Sequence, residues 1–258
     1  MFGTYVRTGA ILASGISCAG VHAENVYTVG LVAGAAPRYE GSNEYRPVIG
    51  PLFSADFGNG FFVNPLRGGI GYGHKFSNGM FASVGLDYDV GRTDRKRVDL
   101  PGSDYLKGMG RIPGSFMGAF QVGMPIYGDA TLSITLDAPL TNRDRGLSGH
   151  IDMDVPVYKA GRHLVSISPS LHYGSRRYTQ TFFGVTDAQA ANSSFRPYST
   201  KAGFDRASLS LSWGYDISRA WSVHTIVSVS RLLGDSANSP IVQSKQSYVG
   251  LTSLNYRF

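Results

Sequence analysis

From residue 81 to the last residue, the chain keeps returning to a two-residue alternation of apolar and polar side chains. FASVGLDYDV sets Ala82, Val84, Leu86, Tyr88 and Val90 against Ser83, Gly85, Asp87 and Asp89. TLSITLDA sets Leu132, Ile134 and Leu136 against Ser133, Thr135 and Asp137, and HIDMDVPV sets Ile151, Met153, Val155 and Val157 against His150, Asp152 and Asp154. HLVSISPSLHY, DRASLSLSWGYDI and WSVHTIVSVS repeat the pattern, with serines filling most polar positions. Period two is the mark of strands whose faces meet different surroundings; helical spacing of 3.6 is not seen.

A soluble sandwich alternates as well, so the pattern alone does not name the solvent. Three further features do. The polar face carries many small hydroxyl residues and paired carboxylates (Asp87 with Asp89, Asp152 with Asp154), which suits a wet interior. The apolar face carries rings near strand ends, at Tyr88, Tyr173, Trp213, Tyr215, Trp221 and Tyr256, as a barrel does at the two membrane interfaces. The connections come in two kinds. GYDISRAW and QVGMPIYGDATL are tight, whereas GRTDRKRVDLPGSDYLKGMGRIPG and GSRRYTQTFFGVTDAQAANSSFRPYSTKAGF are long and polar. Short turns at one end and long loops at the other are the outer-membrane pattern.

In hydrocarbon an unpaired N–H or C=O costs several kcal/mol, so strands span only if the sheet closes on itself. Closure makes the C-terminal stretch SYVGLTSLNYRF a paired strand, with Tyr248, Leu254, Tyr256 and Phe258 on its lipid face. Such an ending is also similar to the signal that the outer-membrane assembly machinery reads. About eleven strand segments can be counted, near 26–35, 46–56, 66–76, 80–91, 114–124, 129–138, 148–157, 163–173, 202–216, 219–232 and 247–258. Single-chain bacterial barrels have even numbers. The expected fold is therefore an all-β transmembrane antiparallel β-barrel of about 12 strands, with 10 to 14 allowed, short periplasmic turns and longer extracellular loops.

Composition agrees. The 258 residues are 42% hydrophobic and 12% aromatic with 33 glycines, too aromatic for a disordered chain. Helical spans need roughly 20 apolar residues in a row. The uncharged stretch 112–128 is broken by Pro113, Pro125 and several glycines. At the N-terminus, MFGTYVR, then TGAILASGISCAGV, then VHA match a secretory signal cleaved after Ala23. Residues 1–23 are read as signal peptide and 24–258 as one outer-membrane barrel domain, which predicts an outer-membrane location. Cys18, the only cysteine, falls in the removed segment, so disulfides, thiolate metal sites and cysteine nucleophiles are not expected.

Candidate chemistry is sparse. A serine nucleophile needs a histidine within reach and a third group to orient it. His74 with Ser77, His172 with Ser175, and His224 with Ser222 or Ser228 are the available pairs, and His224 belongs to the lumen face. Each aspartate pair puts two carboxylates about 6.5–7 Å apart on one strand face. Neither comes with the further oxygens of a cation cage, so both are read as lumen charges facing Arg or Lys. GGIGYGHK lacks the helix a phosphate loop needs and reads as a strand of small residues. No catalytic residue, metal or cofactor is expected.

The formal net charge is +6, concentrated in two long loops. Arg92, Arg95, Lys96, Arg97 and Arg111 share one; Arg176, Arg177, Arg196 and Lys201 share the other. Facing outward, Arg92, Arg95, Lys96, Arg97, Arg176 and Arg177 are placed to contact lipopolysaccharide phosphates, where Arg makes bidentate bonds. Nucleic acid is not an expected partner, because no nucleic-acid-binding motif accompanies the charge.

Three phrases in order carry a family resemblance. PRYEGSNEYRPVIGPLFSADF contributes Tyr39, Gly41 and Ser42; FFGVTDAQAANSSFRPYSTKAGF contributes Gly184, Val185, Thr186, Gln189, Tyr198 and Gly203; LLGDSANSPIVQSKQSYVGLTSLNYRF contributes Gly234, Asp235, Ser239, Pro240 and Phe258. Together they resemble the MipA/OmpV family, named for the MltA-interacting protein of Gram-negative outer membranes. The segment 92–111 matches nothing in that pattern. The resemblance implies a non-enzymatic outer-membrane barrel, a scaffold joining a murein hydrolase to a peptidoglycan synthase. A small-solute channel or a surface adhesin is the alternative.

Overall fold

The computed structural model describes residues 25–65 and 69–258; the segment read as a signal peptide, with Cys18, lies outside the described residues. Twelve antiparallel strands form one closed barrel. They are β1 (Val26–Pro37), β2 (Tyr45–Asp56), β3 (Phe61–Asn64), β4 (Gly69–Lys75), β5 (Phe81–Asp89), β6 (Ser115–Tyr127), β7 (Ala130–Pro139), β8 (Ser148–Ala160), β9 (His163–Gly174), β10 (Gly203–Asp216), β11 (Trp221–Leu232) and β12 (Gln246–Arg257). Each pairs with its sequence neighbours, and β12 closes on β1 from Thr28 opposite Arg257 to Ala35 opposite Gly250. Among the described residues no helix is long and apolar enough to cross a membrane.

The alternation is inside-out. Leu31, Ile134, Leu136, Ile151, Ile167, Leu209, Leu211, Val227 and Leu254 face outward and are exposed or nearly so, while Ser133, Thr135, Ser166, Ser168, Ser208, Ser210, Ser228 and Ser253 are buried toward the lumen. Tyr45, Tyr88, Phe116, Tyr173, Phe204 and Tyr248 ring the outer wall near the long-loop end; Tyr27, Phe61, Tyr72, Tyr158, Trp213, Trp221 and Tyr256 ring it near the other. On β10 the rings span Phe204 to Trp213. At about 3.3 Å per residue and a tilt near 40°, that is roughly 23 Å of bilayer normal, the height of an outer-membrane apolar band. Between β11 and β12 Trp221 and Tyr256 meet edge-on at 5.0 Å, and Tyr256 meets Phe258 the same way at 5.0 Å.

The two ends differ as the loop lengths foretell. Residues 57–60, 76–80, 128–129, 161–162 and 217–220 make the tight turns, and both termini of the described barrel lie at that end. The other end carries 38–44, 90–114, 140–147, 175–202 and 233–245. The strand that sequence counting misses is β3, only four residues long and too short to show alternation. The expected strand at 66–76 begins at Gly69 in β4.

Candidate functional site: a charged chamber beneath a loop cap

The long loops do not splay. They carry α1 (Arg176–Phe183), α2 (Asp187–Asn192) and α3 (Gly234–Ala237) and fold over the barrel mouth. Tyr39, Leu106, Met109, Val185, Phe195 and Ile241, drawn from four different loops, form one buried apolar cluster, with Ala190 and Tyr198 packed against it. Phe183, Leu232 and Ala237 form a second, flanked by Tyr178, Phe182 and Val242. This is a core of the ordinary kind, apolar inward, set on a barrel that is apolar outward.

Polar side chains tie the cap together. The Tyr39 hydroxyl donates to the Ile241 carbonyl at 2.8 Å and lies 3.1 Å from Gln243 Oε1. Burial pushes that phenol far above its ordinary pKa, so it remains a donor. Thr186 and Gln189 form a capping box at the start of α2, and Gln189 Nε2 also donates to Met109 of a different loop (2.8 Å). The Tyr198 hydroxyl donates to the Asp235 carbonyl at 2.8 Å, and Asp235 Oδ2 accepts from the Lys201 backbone at 2.9 Å. Ser239 donates to the Phe183 carbonyl, and the Val185 and Tyr198 backbones pair. Two glycines are required by geometry. At Gly41 (φ 95°) the carbonyl accepts from both Gln243 and Ser244, and at Gly108 (φ 89°) a Cβ would stand 1.8 Å from the Asn192 carbonyl oxygen. Nearly all the signature positions therefore sit in the cap: Tyr39, Gly41, Ser42, Gly184, Val185, Thr186, Gln189, Tyr198, Gly234, Asp235, Ser239 and Pro240.

Beneath the cap lies a cavity of about 60 Å³, room for a few waters, where charged side chains from β5, β7, β8, β9, β10 and the loops meet Tyr39, Met117, Tyr178 and Phe182. Arg145 and Asp89, both buried, pair at 2.6 Å, and the Arg145 guanidinium lies 5.2 Å from the centre of the Phe182 ring. Arg206 pairs with Glu40 across from the first loop. His172 Nδ1 is 2.6 Å from Asp205 Oδ1, and its cross-strand neighbour His150 contacts Asp152 and lies 3.7 Å from Asp137. Tyr178 of α1 covers His172, ring centres 5.2 Å apart; burial, then the charges of Asp205 and Asp89, push its phenol up. Charges this far from water are stable only when matched, as Arg145 is by Asp89 and Arg206 by Glu40.

Two placements depart from sequence reasoning. Arg92, expected on the surface, is buried; its Nη1 donates to the Phe182 carbonyl at 2.7 Å and its guanidinium faces the Tyr39 ring at 6.0 Å. It holds the cap and cannot reach a lipopolysaccharide. Arg95, Lys96, Arg176 and Arg177 are exposed, and Arg97 is exposed but forked onto Asp99 by two 2.9 Å bonds. Second, Asp205 would face lipid by strict alternation. A register shift between Phe204 and Arg206 turns Asp205 inward beside Arg206, which already faces the lumen in phase with Ser208 and Ser210. Arg145 and Glu40 lie in loops where no period exists to flag them.

Asp87, Asp89, Asp152 and Asp154 all lie on the lumen face; Asp89 meets Arg145 in a close pair, and Asp154 accepts from Ser168 at 2.8 Å. Among the described residues no serine hydroxyl hydrogen-bonds a histidine, and no three metal-ligating side chains converge.

No curated protein matches the chain. Among solved structures it is similar to an outer membrane channel from Pseudomonas putida F1, at 7% identity, 93% of this chain and 96% of that one, TM-score 0.47. It is similar too to the translocator domain of the autotransporter NalP from Neisseria meningitidis, at 10% identity, 95% and 92% coverage, TM-score 0.42. Likenesses of this size carry no activity across. The family comparison is of another order, since the model described as MltA-interacting protein MipA matches residues 29–258, nearly the whole barrel with its cap. The chain is a member of the MltA-interacting protein MipA family.

Proposed function

We propose that the protein is a non-enzymatic, capped barrel of the outer membrane that serves as a scaffold. The tight turns face the periplasm, and the cap faces outside. The observation that carries this is the cap itself: four loops share one buried apolar cluster over the mouth, which suits an anchor better than an open pore. The family name, MltA-interacting protein, supports a murein hydrolase as the periplasmic partner, and a peptidoglycan synthase is the second expected one. In this reading residues 1–23 are a signal cleaved after Ala23, and Tyr248, Leu254, Tyr256 and Phe258 present the terminal strand to the assembly machinery. Arg95, Lys96, Arg176 and Arg177 meet lipopolysaccharide phosphates.

The charged chamber favours a second reading, a gated channel for small solutes, in which the cap must move. Planar-bilayer recording with the purified full barrel, paired with hydrolase pull-down, separates the two. Electrical silence with hydrolase capture supports the scaffold. Reproducible conductance steps without capture overturn it in favour of the channel.

A further inference from the structure

The tight turns are not alike in charge. Residues 57–60 and 76–80 carry no charged side chain, and 128–129 carry only Asp129. The other two, 161–162 and 217–220, carry Arg162 and Arg219, and they stand side by side because β9 pairs with β10. The Asp216 N–H donates to the Arg162 carbonyl at 3.0 Å, and Arg162 Nη1 donates to the Ile217 carbonyl at 2.6 Å, so the two turns are laced together. The Arg257 N–H donates to the Ala220 carbonyl at 2.7 Å and ties in the end of β12. Asp216 is the only acidic side chain in 158–163 and 213–221, against Lys159, Arg162 and Arg219. Arg162 and Arg219 are both exposed, and among the described residues neither is in an ion pair, unlike Arg38, Arg97, Arg145 and Arg206.

Rings flank this basic turn on both sides. Toward β9 and β10, Trp213 Nε1 donates to His163 Nδ1 at 3.2 Å, and the rings of His163 and Tyr215 lie 4.6 Å apart. Toward β11 and β12 come Trp221, Tyr256 and Phe258, in edge-on contact. The chain has only two tryptophans, and both stand in this sector of the lower ring. Trp and Tyr at the end of a membrane barrel sit at headgroup level, apolar body toward the tails and polar tip toward water. An arginine in the turn just beyond them stands where lipid phosphates lie, and its planar donors match phosphate oxygens.

We propose that this sector, Arg162 and Arg219 set between two groups of interfacial rings, binds the headgroup of an anionic glycerophospholipid. Charge and depth together select the occupant. A soluble anion meets the cations without the rings, and an uncharged lipid meets the rings without using the cations. A lipid with a net negative headgroup engages both at once. The opposite rim makes the contrast: six strands round the barrel, β4 ends in Lys75 beside the uncharged turn 76–80, with no tryptophan near it. That the lipid belongs to the periplasmic leaflet rests on the reading that the tight turns face the periplasm.

The two tryptophans report on the sector without a label. The full barrel is reconstituted in phosphatidylcholine vesicles holding a low mole fraction of lipid brominated on its acyl chains, phosphatidylglycerol in one set and phosphatidylcholine in the other, after heat-modifiable migration confirms folding. Tryptophan quenching several-fold stronger with brominated phosphatidylglycerol is expected, the excess shrinking as salt is raised. The excess is expected to vanish when Arg162→Gln and Arg219→Gln are combined and to persist in Lys75→Gln. Should the double variant misfold, Arg219→Gln alone, which breaks no bond between the turns, is expected to weaken it. Equal quenching by the two lipids, or an excess that Lys75→Gln removes as fully as the arginine pair, overturns the site whichever way the barrel faces. The leaflet is tested apart from this. A membrane-impermeant maleimide is expected to reach Ser77→Cys, in the exposed turn 76–80, only after the outer membrane is breached. Labelling in intact cells overturns the periplasmic assignment while the vesicle result stands.

Discussion

The wall and the cap are built from one chain by opposite rules. On the wall Leu31 is 68% exposed and stable there, because lipid tails are as apolar as leucine. In the cap, four residues past Ala35, where that strand's lipid-facing run ends, Tyr39 is 1% exposed and packed among residues from three other loops. The difference teaches where the solvent changes. Below the aromatic ring at Tyr45, Tyr88 and Tyr248 the outside is hydrocarbon and the chain hides polar groups; above it the outside is water and the chain hides apolar ones.

The sharpest way to break that contrast is a matched pair of truncations. Tyr39→Ala removes a buried ring and leaves the Ile241 carbonyl without its donor, at a cost of about 3–5 kcal/mol to the cap. Leu31→Ala trims a side chain already in lipid and costs less than about 1 kcal/mol. Limited proteolysis reads the cap through the loops at 90–114 and 175–202, and heat-modifiable migration reads the wall. Tyr39→Ala is expected to expose the loops while the barrel stays folded. Leu31→Ala is expected to change neither; if both variants behave alike, the cap has no core of its own.

Charge placement sharpens the comparison next. Leu209 sits on the outer face midway between Phe204 and Trp213, so Leu209→Arg is expected to cost about 2–4 kcal/mol by chemical denaturation in vesicles. The chain carries Arg206 three residues away at no such cost, because it falls on the lumen face with Ser208 and Ser210 and pairs there with Glu40. A mild effect of Leu209→Arg would mean that this face of β10 does not meet the bilayer midplane.

How far the sequence reaches follows the same division. Strands β5 to β12 were legible because lipid outside and water inside impose a strict period two, and the terminal strand was legible because closure demands it. β3 was not, since a strand of four residues is too short to carry a period. The cap was hidden as well. Leu106, Phe195 and Ile241 are scattered through long polar loops, and only their meeting in space makes them a core. The signature phrases marked the right segments without revealing why, namely that Tyr39, Gln189, Tyr198, Asp235 and Ser239 each bond across from one loop to another or to a distant turn. Arg92 misled because a basic run looks solvated whichever member turns inward.

Within the cap the joints can be ranked. Gln189→Ala loses half of the capping box of α2 and the bond to the Met109 carbonyl, an expected loss of about 1 kcal/mol. Hydrogen exchange is the measure: faster exchange confined to α2 and the segment around Met109 is expected, with β9 and β10 unchanged. Exchange quickening in the strands as well would mean that cap and wall unfold as one unit.

The weakest expected effect lies at the tip of the cap, where Arg97 and Asp99 meet with both side chains in water. The hydrogen bond from Arg97 holds the Asp99 carboxyl below its ordinary pKa. A carboxylate depressed in the folded state adds stability above its unfolded pKa, near 3.9, and loses it as pH falls through the folded value. Here solvent screens the pair, so the contribution is too small to move the unfolding midpoint at any pH. Arg97→Ala is thus expected to leave thermal unfolding unchanged while the Asp99 carboxyl, followed by carbon-detected NMR, titrates closer to its ordinary range. A clear drop in unfolding temperature would show that this fork, like the buried pair of Arg145 and Asp89, fastens the cap. The line between the wet surface and the inner charged chamber would then have to be drawn further out.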